Sequence, residues 1–570
     1  MLPPPSLRPP PKLFGYLDDW FGIFANVNQF NAFCKACQAV NSKLGAGLVI
    51  NMAKCWCRSI ADVKQNGASM LGSVVGGPLT DNQAVDELFQ ARIERMRTRV
   101  TTAAKVGLPK QHRLLLLRQC FFPILGHLLR VLPPETTLMG ARAFDDAVAE
   151  SLQEWFGRLN HHSLKLASLP TRMGGLGLLC QEKVAPLAAA ASYALSHHVL
   201  SKRLSKYHLG VAMPKALGMV EAMTMCAVNL NIGLLADALL DEKPHHLKQM
   251  QRNACKLPFE LEYLDIWQNM DQDGKKRLVE ATTRVARAWL RVIPAHPRCQ
   301  LTDAAVDYGV KRTLVHPFLH TVAPSRVCPA CRHDITPQHH LECFSTRNMR
   351  NARHHAICRV LKTMLSQVID NVQREITEGG LQHDIMYIID STTTYIDVGI
   401  TTVSTTPTAV ASNHGNWPTE DEVQVAVNRR VSQAEIDARR HDPDAELPRR
   451  PHPDVERGEM RRELQRTFVI GQATAQTVRN KNNHFAQRYV KPPTTASFLF
   501  VPFIMTAGGG LNPKANEVME VIADARFDAD RNKLKMVRQR WLSRYYEDMA
   551  TELLRYAAKM ATSHSMQALR

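Results

Sequence analysis

The stretch "HDIMYIIDSTTTYIDVGITTV", residues 383–403, carries two β-rich runs separated by the polar link "DSTTT", with one aspartate toward the start of the first run and one inside the second. Such runs, bounded by turn residues, predict an antiparallel hairpin. If Asp390 and Ser391 take the turn, Asp384 lies directly opposite Asp397. Facing side chains on paired strands have Cβ atoms roughly 4.5–5.5 Å apart, where two carboxylates repel unless a cation lies between them. A divalent metal removes the conflict. A register shifted by one residue sends the two to opposite faces and leaves ordinary strand aspartates.

Upstream, "CPACRHDITPQHHLEC" (328–343) sets Cys328 and Cys331 two residues apart, then His339 and Cys343 with three residues between them. Two thiolates on a tight turn and a His/Cys pair one helical turn apart suit tetrahedral Zn²⁺. Zinc binding would order a segment too short to form its own core. His340, with spacings of eight and two in place of seven and three, stays open as the histidine ligand; unrelated buried cysteines are the plainer alternative.

Size and charge bound the rest. The chain has 570 residues, 45% hydrophobic and 22% charged, which is ordinary globular composition with room for several cores. Lys plus Arg number 71 against 53 Asp plus Glu, and the resulting +18 points to a partner with a phosphate backbone. The most apolar helical stretch, Leu114–Leu132, contains Arg118, His127, Arg130 and Pro123, so it is expected as a buried helix pair broken at the proline and not as a bilayer span. Prolines occupy the start, where a signal peptide has an apolar run. Thirteen scattered cysteines favour reduced thiols over a disulfide framework.

Near the start, "LFGYLDDWFGIF" (13–24) reads as two short strands with Asp18 and Asp19 at the bend. Adjacent aspartates there fit plain turn chemistry or a Mg²⁺ site for phosphoryl transfer. Residues 88 to about 290 carry apolar residues at helical spacing, as does the segment from Ala352 to Val372. Residues 404–465, rich in proline and charge, are expected as a flexible insertion with some helix. "SFLFVPFIM" is a further β-like run, and the end is a basic helical tail.

Taken in order, these segments resemble the reverse transcriptases of non-LTR retrotransposons that carry a zinc knuckle and a restriction-like endonuclease. "YLDD" resembles the polymerase active-site turn, "GLVINMAKC" (Gly47, Asn51, Lys54) the next palm segment, and "VVGGP" (74–78) the palm-to-thumb junction. "LLLLRQCFFPILGHLLRVLPP" and "LPTRMGGLGL" (169–178) are similar to the helical thumb and connector, and "RHHAI" (353–357) with "HDIMYIID...YIDV" resembles the start of the endonuclease. "FLFVPFIMTAGGGL" is similar to its closing strand.

The resemblance implies a multidomain α+β chain. It comprises a polymerase palm remnant over 1–87, a helical thumb over 88–200, a helical connector over 201–325 and a CCHC knuckle over 326–345. An α/β restriction-endonuclease-like domain follows over 346–505, then the basic helical tail over 506–570. It implies structural Zn²⁺ and catalytic Mg²⁺ or Mn²⁺, with a DNA target and an RNA template as partners and no membrane. Synthesis would be cytoplasmic and action nuclear. Asp18 and Asp19 become the remains of a polymerase site, because the family's earlier palm aspartate and fingers are not in this sequence, so polymerisation is not expected. Asp384 and Asp397 match the nuclease's two metal-binding aspartates. The family's nuclease lysine, near an aromatic residue, has two imperfect counterparts in "VRNKNNHFAQRY": Lys481, well upstream of Tyr489, and Arg488, which can neutralise phosphate but cannot give up a proton. Lys54, Arg353, His354 and Arg488 are the expected nucleic-acid contacts. Glu375, expected on the helix before the first aspartate strand, is a candidate further ligand, although an exposed helix glutamate is the commoner finding.

Overall fold

The computed structural model describes residues 12–16, 19–23, isolated positions between 32 and 39, 56–57, 69–70, 82–132, 134–189, 191–192, 255–315, 327–328, 330–333, 338–378, 381–389, 392–403, 417–441, 453–488, 498–527 and 535–568. Asp18, Lys54 with its palm segment, "VVGGP" and Tyr489 lie outside them. The expected N-terminal hairpin is present: β1 (Lys12–Tyr16) pairs antiparallel with β2 (Asp19–Ile23), and Tyr16 faces Asp19.

The described residues are mostly helical, with one four-stranded mixed sheet as the largest β element. The helices used below are α1 (Asn82–Lys105), α2 (Pro134–Phe156), α3 (Lys256–Gln268), α4 (Gln272–Ala281), α5 (Asp303–Thr313) and α6 (Arg347–Leu365). The apolar run after α1 breaks where the proline predicts. A helix over Lys110–Leu116 passes through a π turn at Leu117–Phe121 into a 3₁₀ turn, Phe122–Leu125, that has Pro123 in its first turn. No helix among the described residues is long and apolar enough to cross a membrane.

The sheet follows α6. Strands β3 (Gln373–Glu378), β4 (Leu381–Ile389) and β5 (Thr392–Thr401) form an antiparallel meander, and β6 (Phe498–Thr506) adds parallel to β5. A parallel neighbour requires a long return path. Two helices occupy it: α7 (Glu420–His441) and the 36-residue α8 (Pro453–Arg488). Residues 404–465 are therefore substantially helical where described, and Val423 and Val427 of α7 pack on Met460 of α8. Glu375 is on strand β3, not on a helix.

After β6 come α9 (Pro513–Phe527) and α10 (Lys535–Ala568). The C-terminal segment, expected as a basic helical tail, is helical and packs into the core. Leu542, Tyr545, Met549, Leu553, Ala557 and Met560 of α10 are buried, and the helix packs on α5 and α6. One contiguous apolar core runs from Phe89 through Ile357 and Ile396 to Ala561, so the segments read as thumb, connector and nuclease share an interior.

Buried ion pairs tie distant segments of this core together. Glu260 of α3 and Arg462 of α8, 2% and 4% exposed, form a two-pronged pair, with Arg462 Nη2 donating to Glu260 Oε1 at 2.7 Å. Gly458 makes room for it, since a Cβ there would meet the Glu260 carboxylate. Removing one partner leaves an unmatched buried charge, so Glu260→Ala or Arg462→Ala should each cost about 3–5 kcal/mol in denaturant unfolding. The double change Glu260→Leu with Arg462→Met should cost far less; equal losses from all three would show that packing, not charge, governs the site.

Candidate functional site

The meander places the two aspartates as the turn predicted. Pairing of β4 with β5 runs from Ile389–Thr392 to Ile385–Ile396, which sets Asp384 opposite Asp397 at the next position. There the ladders open. The β3–β4 pairing skips Glu375 and Asp384, and Glu375 has a φ of 54°, a left-handed conformation that a non-glycine residue adopts at some cost. The irregularity frees the Asp384 carboxylate, whose Oδ2 accepts from Val398 N at 2.7 Å.

Three further side chains converge here. His354, from α6, places Nε2 3.2 Å from Asp384 Oδ2. Lys481, from α8, donates Nζ to Asp397 Oδ1. Gly399 eases that approach: a Cβ there would lie 2.6 Å from Ile504 Cδ1 of β6, and 3.1 Å from Thr477 Cγ2 and 3.3 Å from Lys481 Cε of α8. Cys358, one turn along α6 from His354, has Sγ 3.9 Å from the imidazole.

Electrostatics differentiate the carboxylates. Burial pushes both up, but the His354 hydrogen bond, followed by its charge, contact with Asp397 and the Val398 amide, holds Asp384 below the ordinary aspartate range. At Asp397 burial wins over the Lys481 charge, and contact with Asp384 adds to it, raising the group to about 6. Burial alone would lower His354, yet hydrogen bonds with Asp384 and Cys358 raise it to about 10.

The remaining expected contacts separate. Arg353 is 2% exposed, and its Nε and Nη1 have no partner among the described residues, so its placement beneath the surface does not suit it to grip a phosphate backbone. Arg488 ends α8, with its side chain outside the described residues. Glu375 is exposed and bonds His355 Nδ1 at 3.2 Å. Sequence spacing had overlooked Cys358, although a histidine and cysteine four apart on a predicted helix was a readable signal.

The Cys328, Cys331, His339 and Cys343 side chains gather with their donor atoms all within 4.8 Å of one another, and they can hold a metal ion such as zinc. Cys328 and Cys343 sulfurs are 3.7 Å apart, against about 3.8 Å for two thiolates on tetrahedral zinc. Cys331 Sγ is 3.2 Å from His339 Nε2. Arg332, at φ 61°, turns the chain back so that Cys328 N reaches His333 O at 2.8 Å. The choice between histidines is made by packing. His340 points away into the interior and bonds Tyr308 Oη at 2.9 Å, leaving His339 on the thiols. No sequence signal announced His564, which α10 brings within 3.3 Å of Cys328 Sγ.

No protein-family model matches the chain, and no curated protein matches it.

Two measurements follow from this geometry. Protein purified with zinc should lose the knuckle ion in Cys331→Ser and His339→Ala, by elemental analysis, and keep it in His340→Ala and His333→Ala; loss in His340→Ala alone would reverse the assignment. The second concerns pH. His354 holds its proton more tightly folded than unfolded, so the stability from its pairing with Asp384 is complete below about 6.5 and is lost as pH rises through about 10. The unfolding midpoint of metal-free protein should fall over that interval, and fall less in His354→Gln. Identical profiles would remove the pair from the account.

Proposed function

We propose that this chain binds nucleic acid and nicks DNA by metal-dependent phosphodiester hydrolysis, as a protein of the non-LTR retrotransposon reverse transcriptase/endonuclease class. The observation that carries the reading is the meeting of Asp384, Asp397 and Lys481, three side chains from the two central strands of the sheet and a distant helix, where the pairing of those strands opens. Two facing carboxylates suit Mg²⁺ or Mn²⁺, which prefer oxygen ligands. Such an ion supplies Lewis-acid charge to the scissile phosphate and lowers the pKa of an attacking water. The residues do the positioning. Asp384, held by Val398 N and His354, and Asp397 present oxygens from a rigid sheet. Lys481 offers its ammonium to the charge that builds on the phosphoryl oxygens. The +18 net charge suits a DNA target and an RNA template alike. The Cys₃His group serves in this reading as a structural zinc knuckle, and the Asp19 hairpin as the remains of a polymerase turn; action on chromosomal DNA would place the protein in the nucleus.

A second reading rests on the same contacts: His354 and Lys481 already answer the two carboxylates, as a catalytically inactive nucleic-acid-binding remnant would keep them. Supercoiled DNA with Mg²⁺ distinguishes the two. Nicked circles are expected from the wild type, none from Asp384→Asn or Asp397→Asn, and about a hundredfold slower nicking from Lys481→Ala. DNA binding should survive all three changes and weaken steeply with salt. Binding without nicking in the wild type selects the second reading, and nicking that persists in both aspartate variants places the activity elsewhere.

A further inference from the structure

His354 and Cys358 stand four residues apart on α6, so their side chains leave the same face of a rigid helix. Cys358 is 1% exposed, and its sulfur is held 3.9 Å from the His354 ring nitrogens. Asp384, released from both ladders, meets the same imidazole at 3.2 Å, and the three donor atoms all lie within 4.8 Å of one another. Ligands on a tetrahedral zinc ion are separated by about 3.3–3.8 Å, so side-chain shifts of up to about an ångström bring this set onto one ion. Val398 O, 3.2 Å from His354 Nε2, is a further oxygen at the same place.

We propose that His354, Cys358 and Asp384 form a second metal site, separate from the cysteine knuckle, that takes a thiophilic divalent cation of the zinc type. Sulfur and imidazole donors favour Zn²⁺, Cd²⁺ or Co²⁺ over Mg²⁺, which wants oxygen and water. On binding, the Cys358 thiol and the His354 imidazolium each release a proton to solvent and His354 ligates as the neutral ring, so thiolate and carboxylate together match the ion's two charges. Three protein ligands leave a position for water or for Val398 O. The site also has a regulatory consequence, which rests on the nicking reading above: an ion bound here engages Asp384 and withdraws it from Mg²⁺ shared with Asp397.

The test uses full-length protein already holding zinc in its knuckle, titrated with Co²⁺ and followed by equilibrium dialysis and absorption. About one further equivalent should bind, with the charge-transfer absorption of a single thiolate. Cys358→Ser and Cys358→Ala should both lose that equivalent while retaining the knuckle zinc and the wild-type circular dichroism. No further equivalent in the wild type, or an undiminished one in both folded variants, overturns the site. In the nicking assay, Zn²⁺ that fills the site should suppress Mg²⁺-dependent nicking at least tenfold in the wild type and leave Cys358→Ala nearly unaffected. A nicking enzyme indifferent to zinc overturns the regulatory consequence. A wild type that never nicks counts against the nicking reading, and the Co²⁺ titration still decides the site.

Discussion

Four buried or half-buried carboxylates among the described residues are each answered by a cation from another element of the chain, and these pairs fix which elements meet. Glu260 takes Arg462, Glu280 takes Arg312, Asp397 takes Lys481 and Asp384 takes His354. Bringing a charge out of water costs several kcal/mol, so an unmatched partner is far less tolerable than either a matched pair or an apolar replacement. These pairs are therefore better understood as specifying which elements meet than as sources of net stability. Glu280 shows this most fully: besides Arg312 it accepts from Gly508 N at 2.9 Å, and a Cβ at Gly508 would strike its carboxylate. The glycine-rich turn after β6 is thus locked to α4 and α5 by one side chain.

Helix α8 transmits that order to the sheet. Arg462 anchors it to α3, and Lys481 lies 19 residues further on, about 28 Å along the axis. Val469 and Ile470 pack on Val279 of α4 and Val403 just beyond β5, so the helix is held between its anchor and Lys481. Gly399 then lets the helix approach β5 closely enough for Lys481 to meet Asp397. An error in any of these contacts would move the lysine relative to the carboxylates, which is how packing far from the site sets its geometry.

The knuckle is built on a similar division of labour. Its cysteines converge through local turns, while its surroundings come from elsewhere: Tyr308 of α5 claims His340, and α10 brings His564 to Cys328. Arg312 donates to Tyr308 Oη at 3.1 Å, so the hydrogen-bonded chain from Gly508 through Glu280 and Arg312 ends at the knuckle. A metal bound there would order a segment that is in contact with the same core as the sheet.

Local spacing determined what covalent geometry can decide within one or two turns of chain. It set the hairpin at 12–23, the meander register that opposes Asp384 and Asp397, the break at Pro123 and the Cys₃His grouping. Turns of a few residues bring such groups together whatever lies beyond them. Tertiary structure alone decided the rest. His339 and His340 are adjacent, and only the position of Tyr308 distinguishes them. Arg353 looked like a phosphate contact until helix packing put it in the interior, and the insertion expected over 404–465 with some helix holds, where described, the helix α7 and the start of α8 on the parallel return to β6. Lys481 was one of two imperfect counterparts in sequence because it stands 84 residues from Asp397, and their meeting depends on the whole docking of α8. Spacing cannot encode such a contact; burial of apolar faces and the matching of buried charge select it.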